Sequence, residues 1–168
     1  MQYVVEKIDD IDEKTKRELI VTALLHDLGK SMWPDELFTK PSYLLKVEDI
    51  ALIKTHTILT RNLLKENVGE LLNENILKFI ENHHEKPGGK GYPAGLVEPG
   101  YPVRILEAVD IFCATLLEER AYRTGKENAE GVFMEIEELA GKKVSKILKE
   151  LYQKLFVTAD KQFKEGVM

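Results

Sequence analysis

Cysteine is almost absent from this chain. Cys113 is the only one in 168 residues, so no internal disulfide can form and a reducing compartment is expected. Long apolar runs are missing too. Nothing approaches the roughly 18 consecutive apolar residues of a membrane span, and Met1 to Leu19 is too rich in Glu, Asp, Lys and Arg to read as a signal peptide. A cytoplasmic protein without a membrane partner is the expectation. Basic excess is absent as well: 24 Lys and Arg stand against 29 Asp and Glu, a formal net charge of -5. That balance excludes the basic stripe a DNA or RNA polymer would require. A nucleotide, if bound, would sit in a local pocket with a few cations or metals.

What is present is helical periodicity. Glu13 to Leu28 carries Leu19, Ile20, Ala23 and Leu24 on one face, with Gly29 placed as a C-terminal cap. Trp33-Pro34-Asp35-Glu36 reads as a turn into a short helix, and Lys40-Pro41-Ser42 as a second break. Val47 to Glu66 reads as one long amphipathic helix with Ile50, Leu52, Ile53, Leu59, Leu63 and Leu64, and Val68 to Glu85 as another with Leu71, Leu72, Ile76, Leu77, Phe79 and Ile80. Lys86 to Pro102 then concentrates Pro and Gly so heavily that only a long ordered loop is expected, and loops of that length in compact domains are usually functional. Helix resumes over Val103 to Arg120, and Gly131 to Ala140 with Val144 to Phe156 reads as a closing pair, whose apolar stripe suits either the core or a homodimer surface. No strand-like alternation is long enough to matter. The expected fold is all-α: a single-domain helical bundle over residues 13–157, preceded by an N-terminal segment, 1–12, and followed by a tail, 158–168.

The four histidines carry the functional reading. His26 continues the stripe of Thr22 and Ala23; His56 follows Leu52 and Ile53; His83 and His84 follow Phe79 and Ile80; Asp110 follows Leu106 at the same helical spacing. A single histidine on an apolar face is most often a satisfied core residue. Five such positions on four helices are different, because an inward Asp110 is costly without a cation. Imidazoles and carboxylates converging in a bundle suit a metal site. A donor set of this kind without thiolate fits Fe, Mn, Co, Ni or Zn better than Mg or Ca. The number of donors exceeds one tetrahedral zinc, so a two-metal site is expected, an arrangement suited to in-line displacement at phosphorus.

His26-Asp27-Leu28-Gly29-Lys30 resembles the signature of HD phosphohydrolases, and His83-His84-Glu85 leading into Gly89-Lys90-Gly91-Tyr92-Pro93-Ala94-Gly95-Leu96 resembles that of the HD-GYP subgroup. Pro34-Asp35-Glu36, Lys40-Pro41, His56, Arg104 to Asp110 and Arg120-Ala121-Tyr122-Arg123 fall where that subgroup has comparable residues, so the resemblance covers residues 13 to 155. It implies a helical domain with two divalent ions, three in some members, iron or manganese foremost and zinc, nickel or cobalt compatible. It further implies His26, Asp27, His56, His83, His84 and Asp110 as ligands, with Asp27 bridging, and hydrolysis of cyclic di-GMP to pGpG or GMP by a metal-bridged hydroxide. Asp27 and Lys30 would be catalytic, Lys30 meeting a phosphate oxygen; Gly91, Tyr92 and Pro93 would line the substrate, with Tyr92 against a guanine. Arg120 and Arg123 would take the second phosphate, where a guanidinium binds bidentately.

The match has departures. The subgroup's upstream metal-binding histidine has no counterpart in the 25 residues before His26; Lys86 stands for an arginine, Pro87-Gly88 for an aromatic-Asp pair, and Cys113 for a second aspartate. Two other functions are therefore weighed beside the phosphodiesterase: a catalytically inactive module that senses a cyclic dinucleotide or docks a protein, and an HD hydrolase for another phosphoester. A regulatory partner or an upstream domain is expected to accompany the site.

Overall fold

A computed structural model describes residues 1–117 and 129–157. Among these residues there is no strand. The α-helices in chain order are α1 (Gln2–Val5), α2 (Glu13–Leu25), α3 (Asp35–Thr39), α4 (Val47–Lys54), α5 (His56–Val68), α6 (Glu74–Asn82), α7 (Tyr101–Phe112), α8 (Ala129–Ala140) and α9 (Lys142–Tyr152). Short 3-10 turns occupy Leu28–Met32, Ser42–Leu44 and Gly69–Leu71, and π-helical turns follow α7 (Cys113–Leu117) and α9 (Gln153–Val157).

Local chemistry sets the helix starts. Asp12 caps α2 by accepting from the Thr15 backbone N–H at 2.9 Å, and Asn73 caps α6 by accepting from the N–H groups of Asn75 and Ile76. Pro102 sits in the first turn of α7, where its missing N–H costs nothing. Several boundaries differ from those that periodicity predicts. The chain read as one helix from Val47 to Glu66 is two, divided at Thr55, because His56 opens a new helix. The segment from Val68 to Glu85 begins with a 3-10 turn and becomes α-helical only after the Asn73 cap; His83 caps its end, so His84 and Glu85 lie beyond the helix. Likewise α2 stops at Leu25, and Asp27 and Gly29 belong to the turn that follows. Leu24 and Leu71, which share the apolar face by spacing, are 77% and 83% exposed.

Burial is organised in two clusters. The larger joins α1, α2, α7, α8 and α9 through Val5, Ile8, Leu19, Ile105, Phe112 and Ile136, among others. Residues before Glu13 are thus part of this core rather than peripheral to it, and the apolar stripe of α8 and α9 is spent inside it. The smaller cluster joins α5 and α6 through Leu64, Ile76, Leu77 and Ile80, with Val21 and Leu25 of α2 packed on it. Helix α2 therefore faces both clusters, and α7 is buried on nearly every side, as a helix at a domain's centre must be. The ends of α2 and α6, the start of α5 and the middle of α7 meet at the seam. Leu19, fully buried where α2 enters the larger cluster, tests this arrangement: Leu19→Ala should cost about 2–5 kcal/mol of unfolding free energy in a urea melt.

Candidate metal centre

Three of the four histidines are oriented in the same way. The Nδ1 atoms of His26, His56 and His83 lie 3.0, 2.7 and 2.6 Å from the carbonyls of Ala23, Ile53 and Ile80, each three residues earlier. A carbonyl can only accept, so in the neutral rings the proton resides on Nδ1 and Nε2 is a bare lone pair. His84 reaches the same state through a side chain, its Nδ1 donating to Glu107 Oε2 at 2.8 Å. The bare nitrogens then converge. His56 Nε2 and His83 Nε2 face each other at 3.2 Å, and the two residues are 1% and 0% exposed. Burial depresses both pKa values, to about 4 for His56 and well below the ordinary value for His83, where neighbouring His84 adds to the effect. At neutral pH no proton therefore sits between them.

Carboxylates complete the cluster. Asp27 Oδ1 lies 3.4 Å from His56 Nε2, and Asp27 Oδ2 lies 3.4 Å from His26 Nε2. Asp110 Oδ1 lies 3.7 Å from His26 Nε2. Burial opposes ionisation of Asp110, yet His26 and His84 beside it hold its carboxyl below the usual carboxylate range. Burial likewise opposes the charged form of His26, and the carboxylates of Asp110 and Asp27 outweigh it and raise that pKa. His26 Nε2 and Asp27 Oδ1 are buried with no hydrogen-bond partner.

Facing lone pairs and orphaned acceptors around one point fit a cation, because unpaired buried polar atoms are otherwise costly. The ligand atoms fall into three groups within 4.8 Å: His56, His83 and His84; His26, Asp27 and His83; and His84, Glu107 and Asp110. Shared His83 and His84 make these one continuous centre. All six residues expected as ligands are thus together.

Gly29 makes the convergence possible. It is buried against α5, and a Cβ there would lie 2.6 Å from Thr60 N and 2.7 Å from His56 O. Its N–H donates to Thr60 Oγ1 at 2.8 Å. The expected αL cap is therefore replaced by close approach: the turn carrying Asp27 is pressed onto the start of α5. Lys30 lies in the same turn, with Nζ on Asp27 Oδ2 at 2.5 Å and 5.8 Å from the Trp33 ring.

The Gly-rich loop closes the other side. At Gly91 it crosses so near the chain after the histidine pair that a Cβ would stand 2.4 Å from His84 O. This brings the Tyr92 ring to 4.8 Å from His84 and 6.4 Å from His56, with Lys54 Nζ 5.3 Å over it. Burial first, then the carboxylates of Glu107, Asp110 and Asp27, raise the Tyr92 pKa, so the ring keeps its donor proton. Gly91 and Pro93 flank it in the loop. Arg120 and Arg123 lie outside the described residues.

Three participants were given no role at the site by sequence reasoning, although Glu85 stands in the His83-His84-Glu85 run and Trp33 in the turn before α3. Trp33 stands edge-on to His56 at 5.7 Å. Glu85 is fully buried, and its carboxylate accepts from the backbone N–H groups of Ala94, Gly95 and Leu96 at 2.6, 2.9 and 2.8 Å, tying the loop down. Glu107 is the third; a lone acid inside the apolar run Ile105-Leu106-Glu107-Ala108-Val109 was the signal available.

An all-helical domain whose helix ends converge on a buried imidazole-carboxylate cluster defines a metal-site class of helical proteins. A family model described as HD domain matches residues 3–148, and the chain belongs to that family. The chain is 34% identical over 140 residues to a cyclic di-GMP phosphodiesterase of Thermotoga maritima, covering 82% of this chain and 37% of that protein. It is 33% identical over 115 residues both to the 3′3′-cGAMP-specific phosphodiesterase 1 of Vibrio cholerae and to the cyclic di-GMP phosphodiesterase response regulator RpfG of Xanthomonas campestris pv. campestris. Each of those matches covers 67% of this chain, and respectively 26% and 30% of the relative. The chain thus spans well under half the length of these relatives. Among the described residues no helix is long and apolar enough to cross a membrane.

Two outcomes are expected. Manganese at 100 times its Kd should raise stability by about 2.7 kcal/mol, read as a Tm increase that a chelator reverses. Glu85→Gln sets an amide N–H₂ against a loop N–H. It should cost about 1–3 kcal/mol and speed tryptic cleavage after Lys90, in the Lys90-Gly91 bond.

Proposed function

We propose that this chain is the catalytic unit of a metal-dependent phosphodiesterase acting on a cyclic dinucleotide, cyclic di-GMP foremost, to give pGpG or GMP. The observation that carries the reading is the facing pair of bare nitrogens on His56 and His83, 3.2 Å apart beside Asp27. Relatives named for cyclic di-GMP or 3′3′-cGAMP support the substrate class. The residues that would hold the ions are His26, Asp27, His56, His83, His84 and Asp110. Two divalent ions, iron or manganese as the resemblance implies, would supply Lewis acidity when bound: an acidified attacking water and neutralised phosphodiester oxygens.

The protein's own groups do the rest. Asp27 turns one oxygen toward His56 and the other toward His26, the arrangement a bridging carboxylate needs. Lys30, held on Asp27, brings a cation to the edge of the centre, where a non-bridging phosphate oxygen can take it as partner. Tyr92 offers an aromatic face and a phenol donor to a base, in a loop shaped by Gly91 and Pro93. Arg120 and Arg123 are assigned to the second phosphate from sequence alone. A regulatory partner or a further domain accords with relatives that are longer than this chain, and a cytoplasmic setting rests on the sequence alone, with its single cysteine.

The inactive sensor is the second reading, and one experiment separates it from the first. Protein purified without oxygen and loaded with manganese is mixed with cyclic di-GMP and, separately, with 3′3′-cGAMP, and products are resolved by chromatography. A linear product is expected. Asp27→Asn and His83→Ala should each lower turnover at least about 100-fold, since even changes outside the ligand shell cost 10- to 100-fold. Metal-loaded protein that binds either dinucleotide without cleaving it would establish the sensor instead.

A further inference from the structure

Glu107 takes no part in the motif or in the six-residue ligand set, yet it is a carboxylate only 3% exposed on α7, one turn before Asp110. Its Oε2 accepts from His84 Nδ1 at 2.8 Å, and its Oε1 lies 3.5 Å from Lys86 Nζ. Lys86 in turn donates to Glu135 Oε1 on α8 at 2.9 Å. A buried carboxylate persists when it is both paired and hydrogen-bonded, and Glu107 is both. The other three histidines are fixed by backbone carbonyls three residues earlier in the chain. His84, just past the end of α6, is fixed by a carboxylate from a different helix.

That difference has a chemical consequence. A carboxylate accepts only, so it selects the His84 tautomer with the proton on Nδ1 and leaves Nε2 bare. It also makes the ring a stronger donor to a metal than a carbonyl partner would. We infer that Glu107 is a positioning residue of the metal centre, holding His84 with Nε2 presented to the ion, and that Lys86 is its counter-charge. The inference rests on the metal reading above. It makes α7 a double contributor, with Asp110 at the centre and Glu107 behind His84. Through Lys86 and Glu135 it ties the centre to α8.

Zinc titration of the full chain by calorimetry is the test, with Glu107→Leu and Glu107→Gln beside the unaltered protein. Leucine keeps the volume and removes the acceptor. Glu107→Leu should bind zinc about 10- to 100-fold more weakly while its metal-free Tm stays near that of the unaltered chain. Glu107→Gln keeps an acceptor without the charge and should recover part of the affinity. Unchanged zinc affinity in Glu107→Leu would overturn the inference and leave the metal centre intact. No zinc binding by the unaltered chain would remove the metal reading and this inference with it. A second measurement needs no variant: a long-range proton-nitrogen spectrum of the zinc-loaded protein should show His84 Nδ1 protonated. Zinc on Nδ1, or on Glu107 itself, contradicts the inference whatever the variants do.

Discussion

The constraint on which this fold turns is a repulsion left standing. Three imidazoles spend their one proton on the carbonyl three residues behind them. The fourth spends it on a glutamate. In the neutral rings none has a proton left for the others, and burial keeps His56 and His83 neutral. The protein therefore brings acceptors face to face where only a cation can reconcile them. Each helix end is held in place by packing elsewhere, so the convergence is enforced by the cores on either side and does not relax by moving one side chain.

Those cores explain the site's position. Helix α2 contributes to both hydrophobic clusters, and its last turn delivers His26 to the seam between them. Asp110 reaches the same seam from α7, and α5 and α6 supply the remaining histidines at their facing ends. A polar cluster at such a junction costs neither core a buried polar group. Gly29 then sets the spacing, since any side chain there would push the Asp27 turn away from α5.

Much of this was legible in the sequence, and what was not has physical reasons. The all-α class, the loop, the closing helices and five of the converging residues follow from period, punctuation and residue type, whereas Asp27 is named only through the resemblance of the His26-Asp27 pair to the HD signature. Boundaries did not follow, because a helix can end without Gly or Pro. Nothing in Lys54-Thr55-His56 announces a break, and Asn73 was a cap hidden inside an apolar pattern. Gly29 read as a helix terminator because a glycine needed for left-handed backbone and one needed for close approach look identical in a string. Glu85 and Glu107 were invisible as structural elements since their partners lie on backbone N–H groups and on another helix, and neither relation has a sequence period.

The centre also has two walls of very different make. On the loop side, Glu85 fixes three consecutive residues and Gly91 lies against the backbone behind the histidine pair. On the other side, the stretch from Ser31 to Lys54 buries a single hydrophobic residue, Leu37, and leaves Met32, Phe38, Tyr43, Leu44, Val47 and Ile50 exposed. Opening free energy follows buried contacts, so the second wall is the cheap one to displace. The centre thus resembles a vice with unequal jaws: the loop side is bolted by three hydrogen bonds to one carboxylate, and the Trp33 side is held by few buried contacts.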